Sequence, residues 1–445
     1  MGGVTVTHEA RWPSALRGPL RQEVSPTATF VVFAAVMVMV SRGVFEATIG
    51  KTAGYAIQLM ATLGLAAFLF LFGKPRKRPS STVSVVVMYA FICAELLSAV
   101  ATLWLSHGDY FVPYIAVMTV YTGLLTLYGA TVFDVASRIA FGPVLSAVSA
   151  ALVAVAMLQQ YFGYASLPGS DLASIGGSVR PASLTGSFLH YPIALSILFF
   201  MITGLYLRER RRYLLFVAIV DAASIVLSYS RSGMMILALG ILLAGMLAPS
   251  VGRQLRAAFM IAFAGMAVLF FGSANPYLAR ATSAFDPEAG GNAIRLAQWG
   301  KAIRMWIDSP MVIGRYTGMV TNVTSNVVDP GSASTVVESG LLQQLVSFGV
   351  VGVVSFYAIM ILTVRAVPRA DVWVRAGLVA AILESFIYQS IEVLPFMCLF
   401  AFAAVVFSAS DDRAARANDD VGIATPQPAD LHFSKARGPV SDGSV

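Results

Sequence analysis

The chain has 445 residues, of which 57% are hydrophobic and only 12% charged, with a formal net charge of +7. That apolar share excludes an ordinary soluble domain. The apolar runs are continuous rather than alternating and often reach the ~20 residues that a helical bilayer crossing needs, so they argue for an all-α polytopic membrane protein and against a β-barrel. The basic excess lies in short loops between these runs, which makes it an orientation signal rather than a nucleic-acid footprint.

The elements follow in chain order. Residues 1–26 carry Arg11, Arg17 and Arg21 and read as a cytoplasmic N-terminal segment. The apolar run from Thr27 has no clear small-residue cleavage site and reads as a retained helix. About twelve crossings are expected, at roughly 27–48, 53–73, 82–105, 111–133, 143–163, 188–207, 213–230, 232–248, 257–273, 339–364, 376–393 and 394–409. Nine of these fall within 27–273 and three within 339–409, with one large outward loop at 274–338 between the two groups. The polar stretch 410–445 reads as a disordered cytoplasmic tail. Basic clusters such as "KPRKR" (74–78), "RERRR" (208–212), Arg253 with Arg256, and Arg365 with Arg369 and Arg375 recur in every second loop, which places both termini in the cytoplasm. Cys93 and Cys398 both lie inside apolar runs, so neither a disulfide framework nor a metal set is expected.

Residues 213–248 form one apolar run with Arg231 near its midpoint. A single helix of that length would span roughly 54 Å, against a hydrocarbon core of ~30 Å. Both flanks are basic, so the run must be two helices joined by an outward turn, and "SRSG" (230–233) supplies the turn residues. Arg231 then stands at the outer boundary, either snorkelling to water or holding an anion.

The outward loop 274–338 is unusually long and holds Arg280, Arg295, Lys301, Arg304 and Arg315, against the positive-inside trend. Within it "NAIRLAQWGKAIRMWIDSP" predicts a helix stopped at Ser309-Pro310. Arg295, Trp299, Ala302 and Trp306 share one face of it. That face suits either a surface helix with tryptophans at the headgroups or an anion-holding site. The earlier loop "SVRPASLTGSFLHYPIAL" carries Arg180 and His190, and Glu338 stands at the outer start of the tenth crossing, where a carboxylate is electrostatically favoured. Glu95, Asp221, Glu384 and Glu392 lie inside crossings and call for partners in the bundle.

"SRSG" after a membrane helix, then a large outward loop with a helix ending in "DSP", then "ESGLLQQLVSFGVVG", resembles the O-antigen polymerase/ligase superfamily of Wzy-type membrane proteins. "RPASLTGSFLHYPIAL" is similar to that family's segment before its sixth or so crossing. The resemblance covers roughly residues 175 to 360. "GRYTG" (314–318) is poorer in glycine than the family tends to be. The loop also lacks the histidine that ligases of the superfamily carry, since the chain's histidines are His8, His107, His190 and His432. This favours a polymerase over a ligase.

The resemblance implies a GT-C-like membrane glycosyltransferase acting at the outer face of the bacterial inner membrane. Its substrate would be an undecaprenyl-pyrophosphate-linked oligosaccharide, with no metal or other cofactor and no nucleotide sugar. A chain-length regulator or a flippase would be its pathway partner, with the surrounding membrane lipid and no nucleic acid. Arg231 and Arg295 would hold the pyrophosphate, because a guanidinium binds phosphate oxygens in a two-pronged way. Glu338 would accept the proton of the acceptor hydroxyl. Arg180, His190, Tyr229, Trp299, Arg304 and Arg315 are the further candidate substrate contacts. A ligase passing glycan to a lipid or protein acceptor is the nearer alternative. A lipid or solute transporter is the more distant one, and it fits less well because no internal repeat is visible.

The orientation is testable by thiol labelling of intact cells. Cysteines at Ser106 and Ser332 should react with an impermeant reagent and one at Ser80 should not. Labelling at Ser80 would reverse the topology.

Overall fold

The computed structural model describes residues 24–104, 111–133, 139–163, 173–175, 178–247, 290–322 and 336–420. Helix α1 (Pro26–Val40) starts at Ser25, whose hydroxyl accepts from the Ala28 amide at 3.2 Å, with proline in the first turn. The first crossing was expected to run unbroken over 27–48, but the helix breaks at Ser41 and resumes as α2 (Arg42–Ile49) with a bend of 67°. The cause is the cation that follows the break. Arg42 turns inward and is only 8% exposed, with its Nε donating to Glu46 Oε1 at 2.5 Å. A straight helix would leave that charge without its tertiary partners. The backbone of Gly43 also lies flat against that of Gly186, where any Cβ would collide.

The next helices are α3 (Lys51–Phe72), α4 (Ser81–Trp104), α5 (Phe111–Ala130) and α6 (Phe141–Tyr161). Strands β1 (Pro75–Lys77) and β2 (Thr131–Phe133) pair antiparallel and clip the basic loop after α3 to the end of α5. A second small hairpin joins β3 (Ala173–Ile175) to β4 (Ser178–Arg180). Helix α7 (His190–Glu209) is buried without interruption from Tyr191 to Leu205. It packs on α6 and on three later elements: α8 (Arg212–Leu227), α9 (Arg231–Leu247) and α12 (Val372–Ser385). An all-round apolar sequence fits a helix at the bundle centre. Helix α10 (Gly290–Ile307) lies against α11 (Gly340–Ala366), and α13 (Leu394–Asp420) runs past the position 409 at which the last crossing was expected to end.

Among the described residues, six helices are long and apolar enough to cross a membrane, or seven if α1 and α2 make one bent span. The protein is therefore a multi-pass, helical membrane protein. Helices α8, α9 and α12, at 16, 17 and 14 residues, are shorter than the ~20 that span a bilayer alone. The expected crossing at 257–273 lies outside the described residues.

Helix α11 is interrupted at Gly349, whose φ of 65° and ψ of −165° only glycine tolerates. Segment 310–318 enters this break. Met311 and Val312 carbonyls accept from the amides of Val350 and Val351, each at 3.1 Å. The Arg315 amide donates to Val346 O at 3.4 Å. Ser98 and Thr102 of α4 complete the set: Thr102 Oγ1 donates to Thr317 Oγ1 at 3.0 Å, and Ser98 Oγ donates to Ser347 O. Gly314, at φ 68°, brings the segment so close that an added Cβ would meet Ser347 O at 2.6 Å.

Gly349→Ala should therefore lower thermal stability, by ~1–3 kcal/mol for the backbone conformation alone and more for contact with the Val312 carbonyl. Gly64→Ala, on α3 with nothing within 4 Å of the new methyl, should be neutral or gain up to ~1 kcal/mol. Detergent-solubilised melting curves check both. Equal behaviour of the two variants would mean that the break is not held by segment 310–318.

Candidate active site

The turn between α8 and α9 falls where the basic flanks of the 213–248 run require it. Tyr229 takes the left-handed conformation, φ 55°, and its side chain is buried. Ser230 and Ser232 hydroxyls bond at 2.9 Å, and Arg231 opens α9. Arg231 Nη1 donates to Asn292 Oδ1 at 3.1 Å, so the first turn of α10 sits over the α8–α9 turn. Three residues on, and on the same side of α10, Arg295 forms an ion pair through Nε with Glu338 Oε2. Its guanidinium also lies over the Tyr388 ring, 5.1 Å from the centroid. Both Arg231 and Arg295 are within electrostatic reach of the Tyr388 hydroxyl.

Glu338 is held by the start of α11. Ser339 caps that helix by accepting from the Leu342 amide at 3.2 Å, and its hydroxyl donates to Phe386 O at 2.7 Å. The Gly340 amide donates to Tyr388 O at 2.9 Å, which ties the turn after α12 to the same point. On the apolar side of α10, buried Ala302 with part-buried Trp299 and Trp306 packs against Val320, Val337 and Val346. This contact presses α10 onto α11 and keeps Arg295 beside Glu338. The result is a narrow cleft lined by His190, Ser232, Arg295, Glu338, Tyr388 and Gln389.

The structure thus brings together Arg231, Arg295 and Glu338 from three separate segments, with His190 on the cleft wall. The other expected contacts sit elsewhere. Arg180 is 5% exposed, and its guanidinium covers the Phe188 ring at 4.1 Å. Trp299 packs between α10 and α11, Arg304 is exposed on α10, and Arg315 is held by its backbone in the 310–318 segment. Tyr229 shapes the turn rather than lining the cleft.

Sequence reasoning missed a second cation. Arg42 Nη1 lies 3.2 Å from His190 Nδ1, and its guanidinium lies over the Tyr55 ring at 4.4 Å. Arg42, Glu46 and His190 therefore form a part-buried polar group that reaches the cleft wall through His190. The available signal was the same as for Arg231: an arginine inside an apolar run. Asn292, Tyr388 and Gln389 carry no comparable signal, because only long-range packing brings them to the site.

Residues 216–357, from within α8 to within α11, match a family model described as O-antigen ligase. The match supports a likeness of this region to the O-antigen polymerase/ligase superfamily. Arg231, Arg295 and Glu338 all fall inside the matched region, whereas Arg42, His190 and Tyr388 lie outside it. Members of that superfamily are membrane enzymes of the glycosyltransferase kind. A search of curated proteins returns no match to the chain.

The two ion pairs around the cleft should differ sharply in structural weight. The Arg295 and Glu338 side chains are 23% and 34% exposed, so solvent screening limits their pair to under about 1 kcal/mol. Arg42 and Glu46 are 9% exposed each, and removing one partner strands a buried charge at ~3–5 kcal/mol. Glu338→Gln should keep a near-normal melting temperature, while Arg42→Gln should lose several degrees or accumulate poorly. The opposite ordering would make Arg295–Glu338 a structural pair.

Proposed function

We propose that this protein polymerises undecaprenyl-pyrophosphate-linked glycan repeat units at the outer face of the bacterial inner membrane. The observation that supports this reading best is that Arg231 of α9 reaches the first turn of α10 through Asn292, one turn before the Arg295–Glu338 ion pair. Two guanidinium groups held near each other by α9 and α10 are suited to the oxygens of a pyrophosphate. The donor pyrophosphate takes Arg295 from Glu338, exchanging one anion for another, and Arg231 holds a second phosphate oxygen.

The acceptor hydroxyl oxygen then attacks the anomeric carbon of the donor. The bond between that carbon and the phosphate oxygen breaks, and undecaprenyl pyrophosphate leaves with its charge stabilised by the two arginines. Glu338, freed from its ion pair, receives the hydroxyl proton. The exchange makes the base available only when the donor is bound, which limits wasteful hydrolysis. Tyr388, packed under Arg295, fixes the direction in which that guanidinium points.

A ligase reading has one observation in its favour beyond the family description. His190 lines the cleft, so a histidine is present there although the large loop has none. The two readings separate in a reconstituted assay. Lipid-linked repeat units alone should give longer lipid-linked chains with a polymerase. Elongation that requires a separate lipid A core or protein acceptor assigns the ligase instead.

Glu338→Gln should reduce elongation by ~10²–10⁴-fold at equal protein level. A carboxylate that serves only the helix start contributes ~0.3–1 kcal/mol, or a few-fold, so a loss below about five-fold removes Glu338 from the chemistry. Arg231→Lys and Arg295→Lys should keep the charge and lose most polymer, because lysine lacks the planar fork. Normal polymer from both would reassign them to snorkelling and surface roles.

A further inference from the structure

A second charged cleft lies at the opposite end of α11 from Glu338. Arg78, Arg365, Arg369 and Arg375 line it, together with Val83 and Leu362. It is built by the loop after β1 with the start of α4, by Val132 of β2, by the C-terminal end of α11 with the loop that follows it, and by the first turn of α12. Arg78 Nη1 donates to the Ala366 carbonyl at 2.5 Å, so one guanidinium fixes the wall while the others face the opening. Among the described residues, Arg365, Arg369 and Arg375 form no ion pair with a carboxylate. The nearby Asp371 is turned to Arg208, whose Nε donates to Asp371 Oδ1 at 2.6 Å. Burial, and then the like charges of Arg369 and Arg365, hold Arg375 below the usual arginine range. Like charges gathered in a concave site are stabilised by an anion.

The wall beneath the arginines is apolar and outward-facing. Val83 and Val86 of α4 are 54% and 60% exposed, and Val354 and Ile361 of α11 are 62% and 50% exposed. Their spacings of three and seven put each pair on one helix face, and α4 packs directly on α11. The strip therefore continues down from the cleft along the α4–α11 groove. An anion site with an apolar strip below it fits an amphiphile and is poorly suited to a free ion.

We propose that this cleft is a binding site for the phosphodiester headgroup of an anionic phospholipid, whose acyl chains lie along the α4–α11 groove. Basic pockets between membrane helices recognise anionic lipids through this combination of guanidinium–phosphate bonds and acyl contact. The site is separate from the Arg231–Arg295–Glu338 cleft and does not depend on the reaction assigned to it. Bound lipid bridges the β1–β2 clip, α11 and α12, and so ties these elements together at that end.

The test uses the purified full chain, stripped of lipid in detergent and titrated with phosphatidylglycerol, phosphatidylcholine or inorganic phosphate. Native mass spectrometry counts bound lipid, and melting curves follow stability. Phosphatidylglycerol should bind at least tenfold more tightly than phosphatidylcholine and raise the melting temperature. Arg369→Gln with Arg375→Gln should abolish that preference. Arg211→Gln with Arg212→Gln, which removes equal charge from the junction of α7 and α8, should retain it. If the first pair fails to fold, Arg369→Gln alone, at an exposed residue, should weaken binding several-fold. No preference in the unmodified protein would overturn the proposal, as would equal loss in the two double variants. Protection by millimolar inorganic phosphate equal to that by phosphatidylglycerol would overturn the lipid assignment in favour of a free-anion site.

Discussion

Where α11 breaks at Gly349, backbone amides and carbonyls leave the helical ladder about 14 Å from the start of the helix, well inside the bundle. Apolar surroundings offer them no water, so each must find a partner in the protein. Segment 310–318 supplies partners with its own backbone, Ser98 of α4 donates to Ser347 O, and Thr102 of α4 holds the segment itself by donating to Arg315 O. The loop after α10 is therefore pinned into the bundle. Because it is pinned, α10 has a fixed place over α11, and Arg295 has a fixed place over Glu338. A continuous α11 would have freed the loop and scattered the three charged residues of the cleft.

The charges follow the same logic. Every cation near the cleft sits at a helix break or a helix start: Arg42 after the Ser41 break, Arg231 after the Tyr229 turn, and Arg295 in the first turns of α10. Helix breaks let a guanidinium leave the lipid-facing surface and enter the bundle. The buried Arg42–Glu46 pair orients His190 on the cleft wall, while the more exposed Arg295–Glu338 pair remains able to exchange partners. One pair is fixed by burial and the other is kept exchangeable by its access to water. Helix α11 links the cleft to the arginine cluster at its far end, so the two charged regions share one structural axis.

Much of this was legible in the sequence. Hydropathy gave the class and nearly all the helices, because a bilayer-length apolar run has few alternative structures. The 213–248 run and its basic flanks gave the turn at Arg231, since one helix of that length overshoots the bilayer. The amphipathic pattern of 292–310 gave α10 and the side on which Arg295 and Trp299 sit. The order of the short motifs gave the resemblance to the superfamily whose model matches residues 216–357. The 67° break at Ser41 was not legible, because Arg42 looks like any arginine at a membrane boundary until Glu46, Tyr55 and His190 are seen around it.

The amino-acid sequence alone determined that this is a helical membrane protein with a long cationic segment between its apolar runs, because hydrophobicity and charge act locally and leave a periodic record. Only the tertiary structure decided which cations share a site. The Arg295–Glu338 pair spans 43 positions and Arg42–His190 spans 148, and Tyr388 enters through a turn on yet another helix pair. Such meetings are set by packing and by the need of buried polar groups for partners, and neither leaves a pattern along a single chain.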